Sequence, residues 1–192
     1  MLHRLAGTPE ATGSSFQDVV EGRYYTEAVA WAKETGLVKG VTPERFYPNS
    51  PVTREQFAAI LYRYAQLQGQ DVSNQADLSA YLDAGKLSHY AQSPMAWAVA
   101  EGLIRGVSET ALCPKASATR AQAAAMIGRT QAKGYALADL TFTDNGKIPG
   151  YADYYIRTMA AQGVINGYSD GSFKPHSNIT RGQMAKILYN LM

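Results

Sequence analysis

Apolar positions along this chain recur at helical spacing in pairs of short segments. Tyr24, Ala28, Val29 and Ala32 fall on one face of a helix. Gly36 is placed to end that helix, because glycine readily takes the left-handed conformation after a last turn. An apolar pair, Leu37-Val38, follows, then Gly40, then a polar loop holding Phe46 and Pro48. The phenylalanine reads as a hydrophobic plug and the proline as a stiffener of the loop. A second amphipathic run opens at Thr53, with Phe57, Ile60, Leu61 and Tyr64 as its apolar face. Near the C-terminus Met184, Ile187, Leu188 and Leu191 make an equivalent face. The predicted unit is helix–loop–helix.

The unit occurs three times. Thr-Arg-x-Gln stands at Thr53-Arg54-Glu55-Gln56, Thr119-Arg120-Ala121-Gln122 and Thr180-Arg181-Gly182-Gln183. Stepping back from each threonine in fixed register gives Pro48, Pro114 and Pro175; Phe46, Leu112 and Phe173; Gly40, Gly106 and Gly167; Gly36, Gly102 and Gly163; and Tyr24, Tyr90 and Tyr151. An aromatic-x-Asp pair lies farther upstream at Phe16/Asp18, Tyr81/Asp83 and Phe142/Asp144. Repeat units of this kind bury their apolar faces against each other. The expected organisation is a linker end at 1–15, then repeats at 16–69, 77–134 and 139–192. The expected fold is all-α, three tandem helix-loop-helix repeats in a roughly three-fold bundle. Thr-x-x-Gln has the form of a capping box at the start of each second helix.

Composition narrows the function. Hydrophobic residues make up 46% of the 192, enough for a buried core and against general disorder. Eighteen basic and sixteen acidic residues leave a formal charge of +2, too balanced for a nucleic-acid binder. No 18-residue apolar run offers a membrane span. The segment Met1-Leu2-His3-Arg4-Leu5 lacks the apolar stretch of a signal peptide. A secreted protein would therefore be represented by a fragment with a natural C-terminus at Met192. The lone Cys113 permits no internal disulfide.

Candidate chemistry follows the repeats. Arg54, Arg120 and Arg181 occupy the first helical position, where the helix dipole mildly disfavours a cation. Two partners are open: an anion held by the guanidinium and the helix-start amides, or an internal salt bridge to Asp18, Asp83 and Asp144. Tyr24, Tyr90 and Tyr151 could stack on sugar rings or pack half-buried at a helix start. Trp31 and Trp97 align, with Thr158 in the third copy, and are core or groove residues. The segment from Tyr168 to Phe173 lacks the ligands of a calcium loop and reads as a turn. His3, His89 and His176 do not repeat and form no catalytic or metal-ligating spacing. No metal, cofactor or catalytic residue is expected. Triplicated caps, plugs and arginines point to binding rather than catalysis.

The pattern resembles the S-layer homology family. The motifs that carry this are Phe16-Gln17-Asp18-Val19, then Gly163-Val164-Ile165-Asn166-Gly167-Tyr168-Ser169-Asp170-Gly171-Ser172-Phe173-Lys174-Pro175, and Ile179-Thr180-Arg181. The resemblance implies a pseudo-three-fold spindle with grooves between lobes. It implies an extracellular module that holds a larger secreted protein non-covalently to a Gram-positive-type cell wall or S-layer. The implied ligand is a secondary cell-wall polysaccharide bearing pyruvate ketals, with Arg54, Arg120 and Arg181 as carboxylate partners and Asp18, Asp83 and Asp144 in support. Peptidoglycan is the alternative ligand, and an assembly module without glycan binding the alternative role.

The chain departs from the family pattern in places. Gln56, Gln122 and Gln183 stand where the motif has Glu, and tyrosine stands for the first-helix tryptophan. The Asp-Gly turn becomes Pro43-Glu44 and Glu109-Thr110 in the first two copies, and Leu112 replaces the plug phenylalanine. With its small-residue run Ala121 to Ala125, copy two is expected to be the degenerate one.

Overall fold

The computed structural model describes residues 16–131, 134 and 136–192. The expected linker end at 1–15 lies outside them. Six α-helices follow in order: α1 (Thr26–Glu34), α2 (Arg54–Leu67), α3 (Gln92–Ala100), α4 (Arg120–Gly128), α5 (Gly150–Ala161) and α6 (Arg181–Asn190). Short 3-10 turns at Ala84–Lys86, His89–Ala91 and Asn145–Lys147 precede α3 and α5. Among the described residues no extended strand forms, only isolated β-bridges. The all-α expectation holds, two helices per copy.

The first helix of each copy stops at a glycine with positive φ: Gly36 (73°), Gly102 (66°) and Gly163 (68°). The second helix starts with a complete capping box in every copy. The Gln56 amide donates to Thr53 Oγ1 while Gln56 Oε1 accepts from the Thr53 amide, and the same pair forms at Thr119/Gln122 and Thr180/Gln183. Such a cap contributes about 1 kcal/mol to its helix.

Two compact units divide the chain. Of the described residues, one holds those from Phe16 to Ser50 together with Thr180–Met192, the other those within Pro51–Ile179. In the first unit α1 packs on α6. Trp31 meets Tyr189 edge-on at 5.7 Å, and Phe16 stacks on the plug Phe46. In the larger unit α2 packs on α3 and α4 on α5. Its core includes Phe57, Leu61, Met95, Trp97, Ile127, Ile156 and Met159, all buried. The short side chains of α4 have a packing reason. A Cβ at Gly128 would lie 2.6 Å from the ring of Tyr155, so only glycine lets α5 approach this closely.

Within the larger unit the residues just before the second helices form a closed ring. The Val52 amide donates to Ile179 O (3.1 Å), Ala118 to Val52 O (2.8 Å) and Ile179 to Ala118 O (3.0 Å). All three side chains are fully buried. One donor and one acceptor from each copy are thereby used, so the three copies close the ring with no amide of it left over.

Two sequence expectations shift and one open alternative is decided. Tyr24 is not part of the α1 stripe; its ring is exposed and Tyr25 takes the inward place. Ala28, Val29 and Ala32 are buried as expected. On α6, Met184 and Leu188 are buried, but Tyr189 rather than Leu191 completes the face. Trp31 and Trp97 are both core residues, each 2% exposed.

Candidate functional site

The site is built around the loop between the two helices of each copy. Its plug residue (Phe46, Leu112 or Phe173) is buried. The residue after the plug has positive φ in every copy although none is glycine: Tyr47 (55°), Cys113 (51°) and Lys174 (57°). Each precedes a proline, which ordinarily favours extended backbone. This conformation costs roughly 1–2 kcal/mol per residue, so something must hold it.

The repeated aspartate supplies that hold. Asp18 accepts from the amides of Phe46 (Oδ1, 2.8 Å) and Tyr47 (Oδ2, 2.7 Å). Asp83 accepts from Leu112 (2.9 Å) and Cys113 (2.7 Å), and Asp144 from Phe173 (2.7 Å) and Lys174 (2.8 Å). In each copy two consecutive amides, those of the plug and of the left-handed residue, converge on one carboxylate. Burial by itself would push these carboxyl groups up. The paired amide bonds outweigh it and hold all three below the usual carboxylate range.

The arginine takes the other side of the same peptide. Arg54 Nε donates to Leu112 O at 2.7 Å, Arg120 Nε to Phe173 O at 2.7 Å, and Arg181 Nε to Phe46 O at 2.6 Å. Arg54 adds a bond from its terminal nitrogen to Arg105 O at 2.6 Å. So each plug residue has its amide gripped by an aspartate and its carbonyl by an arginine. The guanidinium lies against the plug ring where that ring is aromatic, 4.7 Å from Phe173 for Arg120 and 4.4 Å from Phe46 for Arg181. The arginines are 3–7% exposed. Burial pushes the Arg54 guanidinium down, and the nearby Cys113, Tyr151 and Asp83 partly counter it.

Two expectations for the arginine are corrected here. The aspartate oxygens are spent on backbone amides, and the arginine Nε goes to a carbonyl, so the pair is linked through the plug peptide rather than by a direct Arg–Asp bridge. The helix-start amides are also not open to an anion. The Arg54 and Glu55 amides donate to Ala116 O and Pro114 O, those of Arg120 and Ala121 to Ser177 O and Pro175 O, and those of Arg181 and Gly182 to Ser50 O and Pro48 O. The repeated proline therefore accepts a helix-start amide at its carbonyl as well as stiffening the loop.

The tyrosines present surface. Tyr24, Tyr90 and Tyr151 are 55%, 49% and 50% exposed, which fits half-buried packing and a surface ring equally. In the larger unit Tyr151 lies within electrostatic reach of Arg54, as do Asp83 and Arg129. A half-exposed phenol thus lies within electrostatic reach of a buried cation. A flat half-exposed ring suits the C–H face of a sugar, and a neighbouring positive charge suits an anionic substituent. Sequence reasoning missed the left-handed residues, and it missed a polar cluster of Glu55, Ser88, Tyr90 and Lys115. The signal for the cluster was Glu55 itself, which stands where the other copies have Ala121 and Gly182.

Repeated helical pairs with a half-exposed ring and a buried cation in each copy define a tandem-repeat helical module. The family model of the S-layer homology domain matches residues 15–58, 81–124 and 141–185. The chain belongs to the S-layer homology domain family, whose setting is the bacterial cell surface and whose role is cell-wall anchoring. It is 29% identical over 174 residues to an amylopullulanase of Thermoanaerobacterium thermosulfurigenes, covering 84% of this chain and 9% of that protein. It is 36% identical over 125 residues to the surface-layer 125 kDa protein of Lysinibacillus sphaericus, covering 63% of this chain and 10% of that protein. It is 29% identical over 164 residues to a cellulosome-anchoring protein of Acetivibrio thermocellus, covering 85% of this chain and 34% of that protein. The chain thus spans a tenth to a third of the length of these relatives. Among the described residues no helix is long and apolar enough to cross a membrane.

Proposed function

We propose that this chain anchors a larger secreted protein to the cell wall by binding an anionic secondary cell-wall polysaccharide, of the kind that carries pyruvate ketals. The observation that carries this reading is that half-exposed Tyr151 lies within electrostatic reach of the buried, cationic Arg54. Sugar contact falls to Tyr24, Tyr90 and Tyr151. Arg54, Arg120 and Arg181 hold the groove floor and set its positive potential, and Asp18, Asp83 and Asp144 fix the loop that forms the wall. The relatives named for a surface layer and for cellulosome anchoring support an attachment role.

Co-sedimentation with purified Gram-positive walls, before and after mild acid removes the secondary polymer and its pyruvate, tests this. Binding that disappears with the polymer is the expected result. Binding that survives stripping would assign peptidoglycan as the ligand. Failure to bind either wall would leave a protein-assembly module.

A further inference from the structure

Glu55 is a carboxylate in an unusual place. It sits at the second position of α2 with its side chain 6% exposed. Burying a charge costs several kcal/mol unless it is paired and hydrogen-bonded, on the order given for ions in proteins. Four donors converge on it. Ser88 gives its amide to Oε2 (3.0 Å) and its hydroxyl to Oε1 (3.0 Å). Lys115 Nζ reaches Oε1 at 2.7 Å and the Tyr90 phenol reaches it at 3.3 Å. Burial would push the Glu55 carboxyl up, but the bonds from Lys115 and Ser88 outweigh it and keep the group ionised.

An ammonium, an amide, a hydroxyl and a phenol arranged around one carboxylate make a carboxylate receptor. Its outer members face solvent, Lys115 with 54% of its side chain exposed and Tyr90 at 49%. Tyr90 is also one of the three tyrosines assigned to the glycan. In the other two copies the Glu55 position is Ala121 and Gly182, so neither can supply an internal carboxylate there.

We propose that the Ser88–Tyr90–Lys115 cradle is a carboxylate-binding site that the chain fills with its own Glu55, which closes this cradle to the acidic groups of a wall polymer and leaves them to the Tyr151–Arg54 face. The consequence for the polymer rests on the function proposed above; the cradle itself does not. Glu55 is on this view the residue that keeps the cradle from taking an external carboxylate.

The test is the Glu55→Ala chain titrated with sodium acetate, with sodium chloride at equal ionic strength as control. Acetate is expected to raise the melting temperature of Glu55→Ala by several degrees, and to leave wild type and Glu55→Gln, whose amide still fills the cradle, unchanged. Replacing Lys115 with Met in the Glu55→Ala background should abolish the response. If Glu55→Ala does not fold alone, recovery of helical signal in acetate reads the same way, and no recovery overturns the proposal. An equal response in wild type and Glu55→Ala, or none in either, also overturns it. Wall co-sedimentation separates the two ideas. Wild type that fails to bind walls while acetate still rescues Glu55→Ala sinks the polymer reading and keeps the cradle. Wild type that binds walls with no acetate effect on Glu55→Ala sinks the cradle alone.

Discussion

Arg120 donates from Nε to the main-chain carbonyl of Phe173, 2.7 Å away and 53 residues ahead in the chain. The bond ties the start of α4 to the plug of the next copy's loop. Arg54 does the same for Leu112, and Arg181 for Phe46. Because Asp144 holds the amide of that same Phe173, cation and anion act on opposite ends of one residue. The arginine is thus part of what makes the loop, whatever it also offers a ligand.

Replacing Arg120 should therefore cost stability before it costs binding. Arg120→Ala removes a charge-assisted bond and leaves the buried Phe173 carbonyl without it, a loss of about 2–3 kcal/mol. Arg120→Lys keeps the charge but lacks the planar Nε donor, so it should recover less than half of that loss. Urea denaturation of the two variants measures both effects. An Arg120→Ala chain as stable as wild type would show that the guanidinium serves the ligand alone.

The aspartates make a pH prediction. Their folded carboxyl groups lie below the ordinary value of 3.8, so the unfolded chain takes up protons first on acidification. The stability they contribute is complete above that value and is lost as pH falls through their lowered folded values. Glu55 and Asp170 are lowered as well and add to the same acid limb. The Asp18→Asn/Asp83→Asn/Asp144→Asn chain should be less stable at neutral pH and show a shallower decline between about pH 4 and pH 2 than wild type, by the linkage of proton uptake to unfolding. Thermal melts across that range, followed by circular dichroism, supply the comparison. Parallel curves for the two proteins would mean that these carboxylates do not carry the acid sensitivity.

Legibility in the sequence followed the range of the interaction. The capping boxes at Thr53, Thr119 and Thr180 could be read because both partners lie within four residues. The plugs Phe46, Leu112 and Phe173 stood out because an apolar residue in a polar loop must be buried somewhere. The partner of Arg54 could not be read, since the Leu112 carbonyl is a backbone atom 58 residues away and every residue has one. The left-handed residues Tyr47, Cys113 and Lys174 share no side-chain chemistry, and each stands before a proline that argues for extended backbone. Only the matching carboxylate contacts explain them. Tyr24 was misplaced by one residue, because Tyr25 beside it offers the same ring to the helix stripe.

The strained position after the plug can be probed at Cys113. Glycine there relieves a φ of 51° but adds freedom to the unfolded chain. The two effects oppose, so Cys113→Gly should fall between neutral and about 1 kcal/mol more stable. Cys113→Val places a β-branched side chain in the same conformation and should destabilise by roughly 2 kcal/mol or more. Chemical denaturation of the pair gives the contrast. Equal stabilities would show that the loop relaxes to extended backbone and lets go of Asp83.

The exposed tyrosine separates surface recognition from architecture. Tyr151 is half exposed in the first turn of α5, so truncating it removes little buried area. Tyr151→Ala should change stability by less than about 1 kcal/mol, as surface substitutions do. The same change removes the ring within electrostatic reach of Arg54, so on the function proposed here affinity for polymer-bearing walls should drop by about tenfold, the effect of losing roughly 1.4 kcal/mol of stacking. Tyr151→Phe keeps the ring and should retain most of the binding, whereas Tyr151→Leu keeps apolar bulk without the flat face and should not. Quantitative co-sedimentation of the three variants, run beside thermal melts, distinguishes a sugar platform from a packing residue. Undiminished binding by Tyr151→Ala would remove this tyrosine from the site and leave Tyr24 and Tyr90 as the rings to test.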